Sequence, residues 1–195
     1  SDELADIMTL ECGKPLAESK GEVAYGASFI KWFAEEGKRI YGDVIPPHTE
    51  NRRIVVIKQP IGVVAAMTPW NFPLAMITRK VGPALAAGCT VIIRPTCEAP
   101  LTALALVHLA EQAGFPPGVV NIVVGSDSAA MGKVFCESEL VKKISFTGST
   151  KIGQILMAQF SNILKKLSLV FVVNSPFIFF VVSYIYLAVA FSFFS

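Results

Sequence analysis

Residues 68–73 read Thr68-Pro69-Trp70-Asn71-Phe72-Pro73 and follow an apolar run over residues 61–67. The run predicts a buried strand and residues 74–87 predict a helix, so the six residues form a loop at the carboxyl end of a strand. Open α/β sheets bind ligands at such strand ends. The two prolines fix the backbone, which makes the Asn71 amide a candidate donor to a developing oxyanion. The alternative interpretation is an ordinary strand-to-helix loop with a buried Trp70.

Strands and helices alternate beyond this loop. Further strands are predicted over residues 90–93, 119–124 and 143–146, followed by helices over 101–113, from 127 and over 150–164. This alternation predicts an α/β fold with a parallel, doubly wound sheet whose connecting loops meet at one edge. Ahead of it, residues 2–40 read as two helices around a Gly-Lys-Pro break, and residues 52–58 alternate as a strand. The second helix carries apolar Phe29, Ile30 and Phe33 near helical spacing.

Composition excludes several classes of function. A length of 195 residues predicts one medium domain, and a formal net charge of +2 without a basic cluster predicts no nucleic-acid binding. The four cysteines lack CxxC spacing, which indicates reduced thiols in an intracellular compartment. We expect Cys89 to be buried and Cys136 to lie in a surface helix. His48 and His108 are isolated, so we expect no metal site.

A second motif, Gly148-Ser149-Thr150-Lys151-Ile152-Gly153, lies at a predicted strand-to-helix junction. Glycine lets a backbone approach a phosphate, and the free N–H groups at a helix start favour an anion. Many such turns carry glycine for backbone reasons alone, so this pattern by itself is weak. Arg94, after another predicted strand, reads either as a ligand donor or as a surface cation.

A resemblance to a known family rests on both motifs, on Glu11-Cys12-Gly13-Lys14-Pro15 and on Met76-Ile77-Thr78-Arg79-Lys80. Together these pieces resemble the aldehyde dehydrogenase superfamily, most closely its succinate-semialdehyde dehydrogenases. The similarity covers roughly the first 168 residues, less than half of a family chain. It implies an incomplete Rossmann-like doubly wound parallel sheet preceded by N-terminal helices, with NAD or NADP as cofactor. It also implies a homo-oligomeric protein of mitochondria or cytoplasm.

The resemblance also implies roles for individual residues. Asn71 would be the side-chain half of the oxyanion hole, and Arg79 would bind the far carboxylate of the substrate through two parallel N–H bonds. A solvated Arg79-Lys80 pair on a helix face is the alternative. The cofactor would contact eight positions: Thr68, Pro69, Trp70, Arg94, Cys97, Gly148, Ser149 and Gly153. Family members usually have lysine at Arg94 and often glutamate at Cys97, and cysteine cannot replace a charged acceptor of ribose hydroxyls.

Two catalytic groups of the family have no counterpart in the sequence. Members oxidise succinate semialdehyde with NAD(P)+ and water, in 4-aminobutyrate degradation, through a cysteine thiolate and a general-base glutamate. Val170 stands at the glutamate position and cannot accept a proton. None of the four cysteines matches the nucleophile. We therefore expect this chain alone to be inactive, and the alternative function is a non-catalytic, membrane-tethered module that binds nucleotide or full-length subunits.

The ends of the chain give further expectations. The start at Ser1 indicates a truncated amino terminus, so a transit peptide would lie outside the sequence. Composition divides the chain into a partial domain over 1–166 and a hydrophobic tail over 167–195, in which residues 177–194 carry no charge. Three interpretations of the tail stay open: a membrane anchor, a diverged family strand, or translation past a mis-assigned exon boundary near Leu169. Each of them leaves an apolar segment that predicts membrane association or aggregation.

Overall fold

The structure, a computed structural model, describes residues 2–160 and 165–172. Within these ranges the helices and strands follow in this order: α1 (Asp2–Cys12), α2 (Leu16–Glu36), a 3-10 turn (Gly37–Arg39), β1 (Asp43–Ile45), β2 (Ile54–Val56), β3 (Val63–Met67), α3 (Ala75–Ala86), β4 (Thr90–Arg94), α4 (Leu101–Gln112), β5 (Val120–Ile122), α5 (Ser128–Glu137), β6 (Val141–Ser149), α6 (Thr150–Phe160) and β7 (Lys166–Val172). The predicted alternation of strands and helices is therefore confirmed.

Five strands form one parallel sheet in the order β5-β4-β3-β6-β7. The chain runs outward from β3 through β4 to β5, then returns to the other side of β3 with β6. In the register, Met67 pairs with Arg94 on one side and with Phe146 on the other. The direction of winding therefore reverses at β3, and the carboxyl ends of β3 and β6 flank the crevice where open α/β sheets bind ligands.

The sheet is covered on both faces, as a doubly wound fold requires. On one face, Ile77 of α3 and Ala103 of α4 pack with Ile93, all fully buried. On the other face, Phe135 of α5 and Leu156 of α6 pack against Ile144. Strands buried on both faces read as continuous apolar runs, which is why the sequence pattern revealed them.

Helices α1 and α2 form an outer layer on α3 and α4. Leu4 and Met8 of α1 are buried with Leu74, which precedes α3. The face of α2 that is fully buried carries Ser19, Glu22 and Gly26, not the predicted apolar set. The close approach of α2 to α3 explains the glycine, because a Cβ on Gly26 would lie 3.0 Å from the Leu74 side chain. Ile30, from the predicted apolar face, is 40% exposed.

Strands β1 and β7 differ from the sequence prediction. The predicted strand over residues 52–58 is confirmed as β2, which pairs in antiparallel fashion with the unpredicted β1 in a ribbon outside the main sheet. Strand β7 lies along β6 in parallel register from the Lys143–Lys166 pair to the Ser149–Val172 pair. The sheet therefore includes residues up to Val172, beyond the composition boundary near Lys166.

The burial of two cysteines can be compared with the sequence predictions, one of which is wrong and one confirmed. Cys136, expected in a surface helix, is fully buried because its side of α5 packs on the sheet, whereas Cys89 is buried as predicted. In the portion of the chain that the structure describes, no helix is both long and apolar enough to cross a membrane. The expected membrane association through residues 177–194 concerns residues outside that portion.

Candidate functional site

The 68–73 loop leaves the carboxyl end of β3 at the reversal of the sheet. The Thr68 N–H donates to the carbonyl of Arg94 at 3.2 Å, which joins the loop to the end of β4. A cavity of about 710 Å³ lies between the loop and the first two helices, lined by Cys12, Gly13, Lys14, Glu22, Tyr25, Trp70, Asn71 and Phe72 among others. Trp70 is 57% exposed, so the alternative of a buried tryptophan is wrong. The loop instead presents its indole to the surface.

Two charged residues of the N-terminal layer hold the loop. The Glu22 carboxylate accepts hydrogen bonds from the N–H groups of Leu74 and Ala75, at 2.9 and 3.1 Å, and pairs with Lys14. The Lys14 ammonium also donates to the backbone carbonyl of Asn71 at 2.9 Å. The Glu22 side chain is 1% exposed and that of Lys14 is 14% exposed. Residues that follow and precede Pro73 are therefore tied to the same buried ion pair.

Polar side-chain atoms without a partner gather around this edge. Among the described residues, the buried atoms of this kind are Thr68 Oγ1, Asn71 Oδ1, Arg79 Nε, Arg94 Nε and Thr147 Oγ1. Thr68 and Thr147 each follow one member of the Met67–Phe146 pair, so Thr68 lies just past the end of β3 and Thr147 lies at the same level inside β6. Buried polar groups in native proteins are nearly always hydrogen-bonded. The unpartnered donors and acceptors at this edge are therefore candidates for hydrogen bonds to a ligand.

In the described part of the chain, four helices begin at the carboxyl edge of the sheet, and a carboxylate side chain caps the start of three of them. Glu22 occupies the start of α3, and Asp127 accepts from the Ala130 N–H at the start of α5. Glu11 accepts from the N–H groups of Leu101 and Thr102 at the start of α4, at 2.6 and 2.9 Å. A carboxylate there satisfies free N–H groups and the positive end of the helix dipole.

The start of α6 differs from the other three. Its side-chain acceptor among the described residues is the neutral Ser149 hydroxyl, 3.4 Å from the Ile152 N–H. The helix start is exposed and follows Gly148, whose Cβ, if present, would collide with the Phe146 ring. Among the described residues no carboxylate caps this helix start, and its N–H groups favour an anion.

Arg79 and Lys80 occupy different environments on α3. Arg79 is half-buried, donates to the Tyr25 hydroxyl at 3.3 Å and lies 5.2 Å from the centre of the Phe29 ring. Within the described residues it pairs with no carboxylate. Lys80 is 8% exposed and donates to the Ser145 hydroxyl at 3.0 Å. The alternative of a solvated Arg79-Lys80 pair is therefore wrong.

Burial lowers the pKa of the Lys80 ammonium. Desolvation lowers the pKa of its ammonium to about 8, and repulsion by Arg79 and Lys143 adds to the shift. Desolvation likewise raises the pKa of the Cys12 thiol in the cavity, where Glu11 adds to the effect. A raised thiol pKa disfavours the thiolate, so Cys12 lacks the activation that nucleophilic cysteines show.

The remaining predicted residues lie around the same edge with different surroundings. The Arg94 side chain is buried and donates to the Ser128 hydroxyl at the start of α5, whereas Cys97 is exposed in the following loop. The predicted interpretation of Arg94 as a surface cation is therefore wrong. Gly153 of α6 lies directly against the Phe171 ring of β7, so helix–strand packing alone accounts for a glycine there.

Val170 stands where the resemblance places the general-base glutamate of the family. It pairs with Thr147 in the β6–β7 register. It is 52% exposed at the carboxyl end of the sheet. The register therefore places this position at the same edge as the 68–73 loop. Among the described residues, no group of three or more metal-ligating side chains could hold a metal ion.

Sequence reasoning assigned no role to Glu11, Lys14 or Glu22. Glu11 and Lys14 belong to a motif that supported the resemblance, yet the spacing does not say what they bind. A signal for Glu22 was present, because Ser19, Glu22 and Gly26 recur at helical spacing and mark a face of α2 that packs closely.

Comparisons with known proteins identify relatives of the chain. A family model described as "Aldehyde dehydrogenase family" matches residues 1–194. The chain is 62% identical to the succinate-semialdehyde dehydrogenase [NADP(+)] of Escherichia coli, over 92% of this chain and 37% of that protein. It is 60% identical to a glutarate-semialdehyde dehydrogenase of Pseudomonas putida, with the same coverage.

A solved structure shows the same fold. The crystal structure of succinate-semialdehyde dehydrogenase from Burkholderia pseudomallei superposes with a TM-score of 0.87 at 56% identity, covering 97% of this chain and 39% of that one. The chain thus spans less than two fifths of the length of the proteins it matches.

Proposed function

The chain belongs to the aldehyde dehydrogenase family, and we propose that it is the cofactor-domain part of an NAD(P)-dependent dehydrogenase of carboxylate-bearing aldehydes such as succinate semialdehyde. The observation that carries the proposal is the meeting, at one edge of the sheet, of the open α6 start, the unpartnered Thr68 and Thr147 hydroxyls and the Asn71 loop.

The α6 start and the end of β3 fit a dinucleotide. The α6 start offers N–H groups and the Ser149 hydroxyl to a pyrophosphate. The buried Arg94 Nε and Thr68 Oγ1 are polar atoms that a bound nucleotide could pair. When bound, NAD(P)+ would supply the hydride acceptor. The exposed Trp70 ring lies next to Thr68 and would cover the bound cofactor from the loop side.

The surroundings of Arg79 favour an anionic substrate. The side chain is oriented by Tyr25 and Phe29, has no acidic partner among the described residues, and keeps a buried Nε without a partner. A guanidinium held this way can receive a carboxylate through two parallel N–H bonds. The names of two relatives, succinate- and glutarate-semialdehyde dehydrogenase, describe aldehydes with a carboxylate at the far end.

Asn71 would act on the aldehyde carbonyl. Its side-chain amide can donate to an oxyanion that forms when a nucleophile adds to the carbonyl carbon. The nucleophile and the base have to come from elsewhere, because Val170 cannot take a proton and Cys12 lies in a thiol-favouring environment. We therefore propose that the 195 residues alone bind cofactor but do not turn over aldehyde.

A chimaera tests this function. Residues 1–168 would replace the matching segment of the Escherichia coli relative, which supplies the rest of the catalytic machinery, and NADP+- and NAD+-dependent oxidation of succinate semialdehyde would be measured. We expect turnover within about tenfold of the parent enzyme, since every group named above is retained. A chimaera that folds and binds neither cofactor would refute the proposal. Binding of NADP+ to the 195-residue chain, measured by calorimetry, tests the cofactor site separately.

A further inference from the structure

The buried Lys14–Glu22 pair is more than the core of the fold requires. Charged groups are rarely buried at this depth unless they are paired and hydrogen-bonded, and an apolar pair of similar volume is often at least as stabilising. Both oxygens of Glu22 are used: Oε1 accepts from the Leu74 and Ala75 N–H groups and Oε2 accepts from Lys14. The pair supplies directional bonds, which apolar packing does not.

Those bonds end on the loop that carries Asn71 and on the first two residues after it, at the start of α3. Lys14 donates to the Asn71 carbonyl at 2.9 Å and lies 4.5 Å from the centre of the Phe72 ring. Glu22 holds the two N–H groups that follow Pro73. The backbone on either side of Pro73 is therefore fixed from α2 and from the link that precedes it, while the Asn71 side chain keeps a buried oxygen without a partner. Because Glu22 neutralises Lys14, the ammonium is not available to bind the carboxylate of a substrate.

We propose that Lys14 and Glu22 are positioning residues that fix the backbone of Asn71, so that its amide donates in the geometry the reaction needs. The inference rests on the proposed function and adds two residues from the N-terminal layer to it. A displacement of about 1 Å in a catalytic group can cost roughly a hundredfold in rate. A loop at the surface of a 710 Å³ cavity needs such a restraint more than a buried strand does.

Glu11 is a matched control for Glu22. Glu11 accepts from two N–H groups at the start of α4 and from the Thr102 hydroxyl, as Glu22 does at the start of α3. Glu11 makes no bond to the 68–73 loop. Glu11→Gln and Glu22→Gln therefore perturb the same kind of helix cap, and only the second one removes the partner of Lys14.

The kinetic test uses the chimaera with Lys14→Met, Glu22→Gln, Glu11→Gln and Asn71→Ala, alone and combined. Lys14→Met and Glu22→Gln should lower kcat roughly tenfold or more with little change in KM, and Glu11→Gln should leave kcat unchanged. Lys14→Met added to Asn71→Ala should slow the enzyme little further, because both changes remove the same donor geometry. Additive effects, or equal effects of Glu11→Gln and Glu22→Gln, would overturn the proposal.

Hydrogen exchange on the 195-residue chain gives an independent readout. Lys14→Met should speed exchange across residues 70–76 and leave the Leu101 and Thr102 amides protected, whereas Glu11→Gln should do the reverse. Unchanged exchange over the loop in Lys14→Met would overturn the proposal even if the rate falls. Normal turnover of Asn71→Ala would instead refute the proposed function, and the exchange experiment would still decide whether the pair holds the loop.

Discussion

The starts of α3 and α6 lie at the same edge of the sheet but differ in their capping groups. We call the α3 start closed, because a carboxylate caps it, and the α6 start open, because its capping group is a neutral hydroxyl. At α3 a buried carboxylate from α2 satisfies the first N–H groups and, with Lys14, fixes the loop ahead of the helix. At α6 the start is exposed and carries a neutral hydroxyl. A closed helix start makes a rigid platform for a side chain, and an open one leaves N–H groups for a ligand. On the proposed function, the α3 start therefore orients Asn71 and the α6 start binds the cofactor.

The largest effect is expected at the closed start. Asn71→Ala in the chimaera should lower kcat roughly a hundredfold or more, because it removes a donor to the oxyanion while the helix cap stays intact. Steady-state kinetics with succinate semialdehyde measures the change, and circular dichroism checks the fold. Near-normal turnover would show that the rigid loop serves packing alone and that the comparison is wrong.

A substitution at Ser149 can give the α6 start a carboxylate. Ser149→Asp would give α6 the same kind of carboxylate as the other three helices, so NADP+ affinity should fall roughly tenfold or more through repulsion of the phosphates. Ser149→Ala, which adds no charge, is the control and should weaken binding only a few-fold. Calorimetry measures both affinities. Unchanged affinity in Ser149→Asp, with thermal stability equal to or above that of the parent, would contradict phosphate binding at this helix.

Substrate specificity should depend on Arg79 of α3. Arg79→Ala in the chimaera should raise KM for succinate semialdehyde roughly tenfold or more, the loss expected for a charge-assisted hydrogen-bonded pair, and barely change KM for a neutral aldehyde of equal length. Arg79→Lys keeps the charge without the planar fork and should fall between the two. Equal effects on the charged and the neutral substrate would rule out a carboxylate contact.

The smallest effect concerns stability near Lys80. Its folded pKa of about 8 lies below the unfolded value of 10.5, so between these pH values the unfolded chain binds more protons and the free energy of unfolding rises with pH. Lys80→Met lacks this titration. The stability of the variant relative to the parent should therefore fall as pH rises from 8 to 10, as urea unfolding would measure. A difference in stability that does not change with pH would mean that Lys80 keeps an ordinary pKa.

Strand β3 and its loop illustrate how far a sequence pattern reaches. The apolar run over residues 61–67 predicted a buried strand because both faces of a central parallel strand meet hydrophobic neighbours. The prolines and Asn71 predicted a rigid polar loop at its end, and its position at the carboxyl end of a buried strand is confirmed. For the region of strand β7 the sequence left a strand as one of three open interpretations, because Lys166–Val172 shares its apolar character with the segment that follows.

Local pattern therefore predicted the order of strands and helices from β3 to α6, the parallel sheet and the candidate site residues. Each of these follows from periodicity, turn residues and side-chain type, which act over a few neighbours. Tertiary structure decided which helix starts are closed, since Glu11 and Glu22 reach N–H groups 90 and 52 residues away along the chain. It also buried Lys80 and Cys136. Contacts at such separations depend on how the layers pack, and no local spacing encodes them.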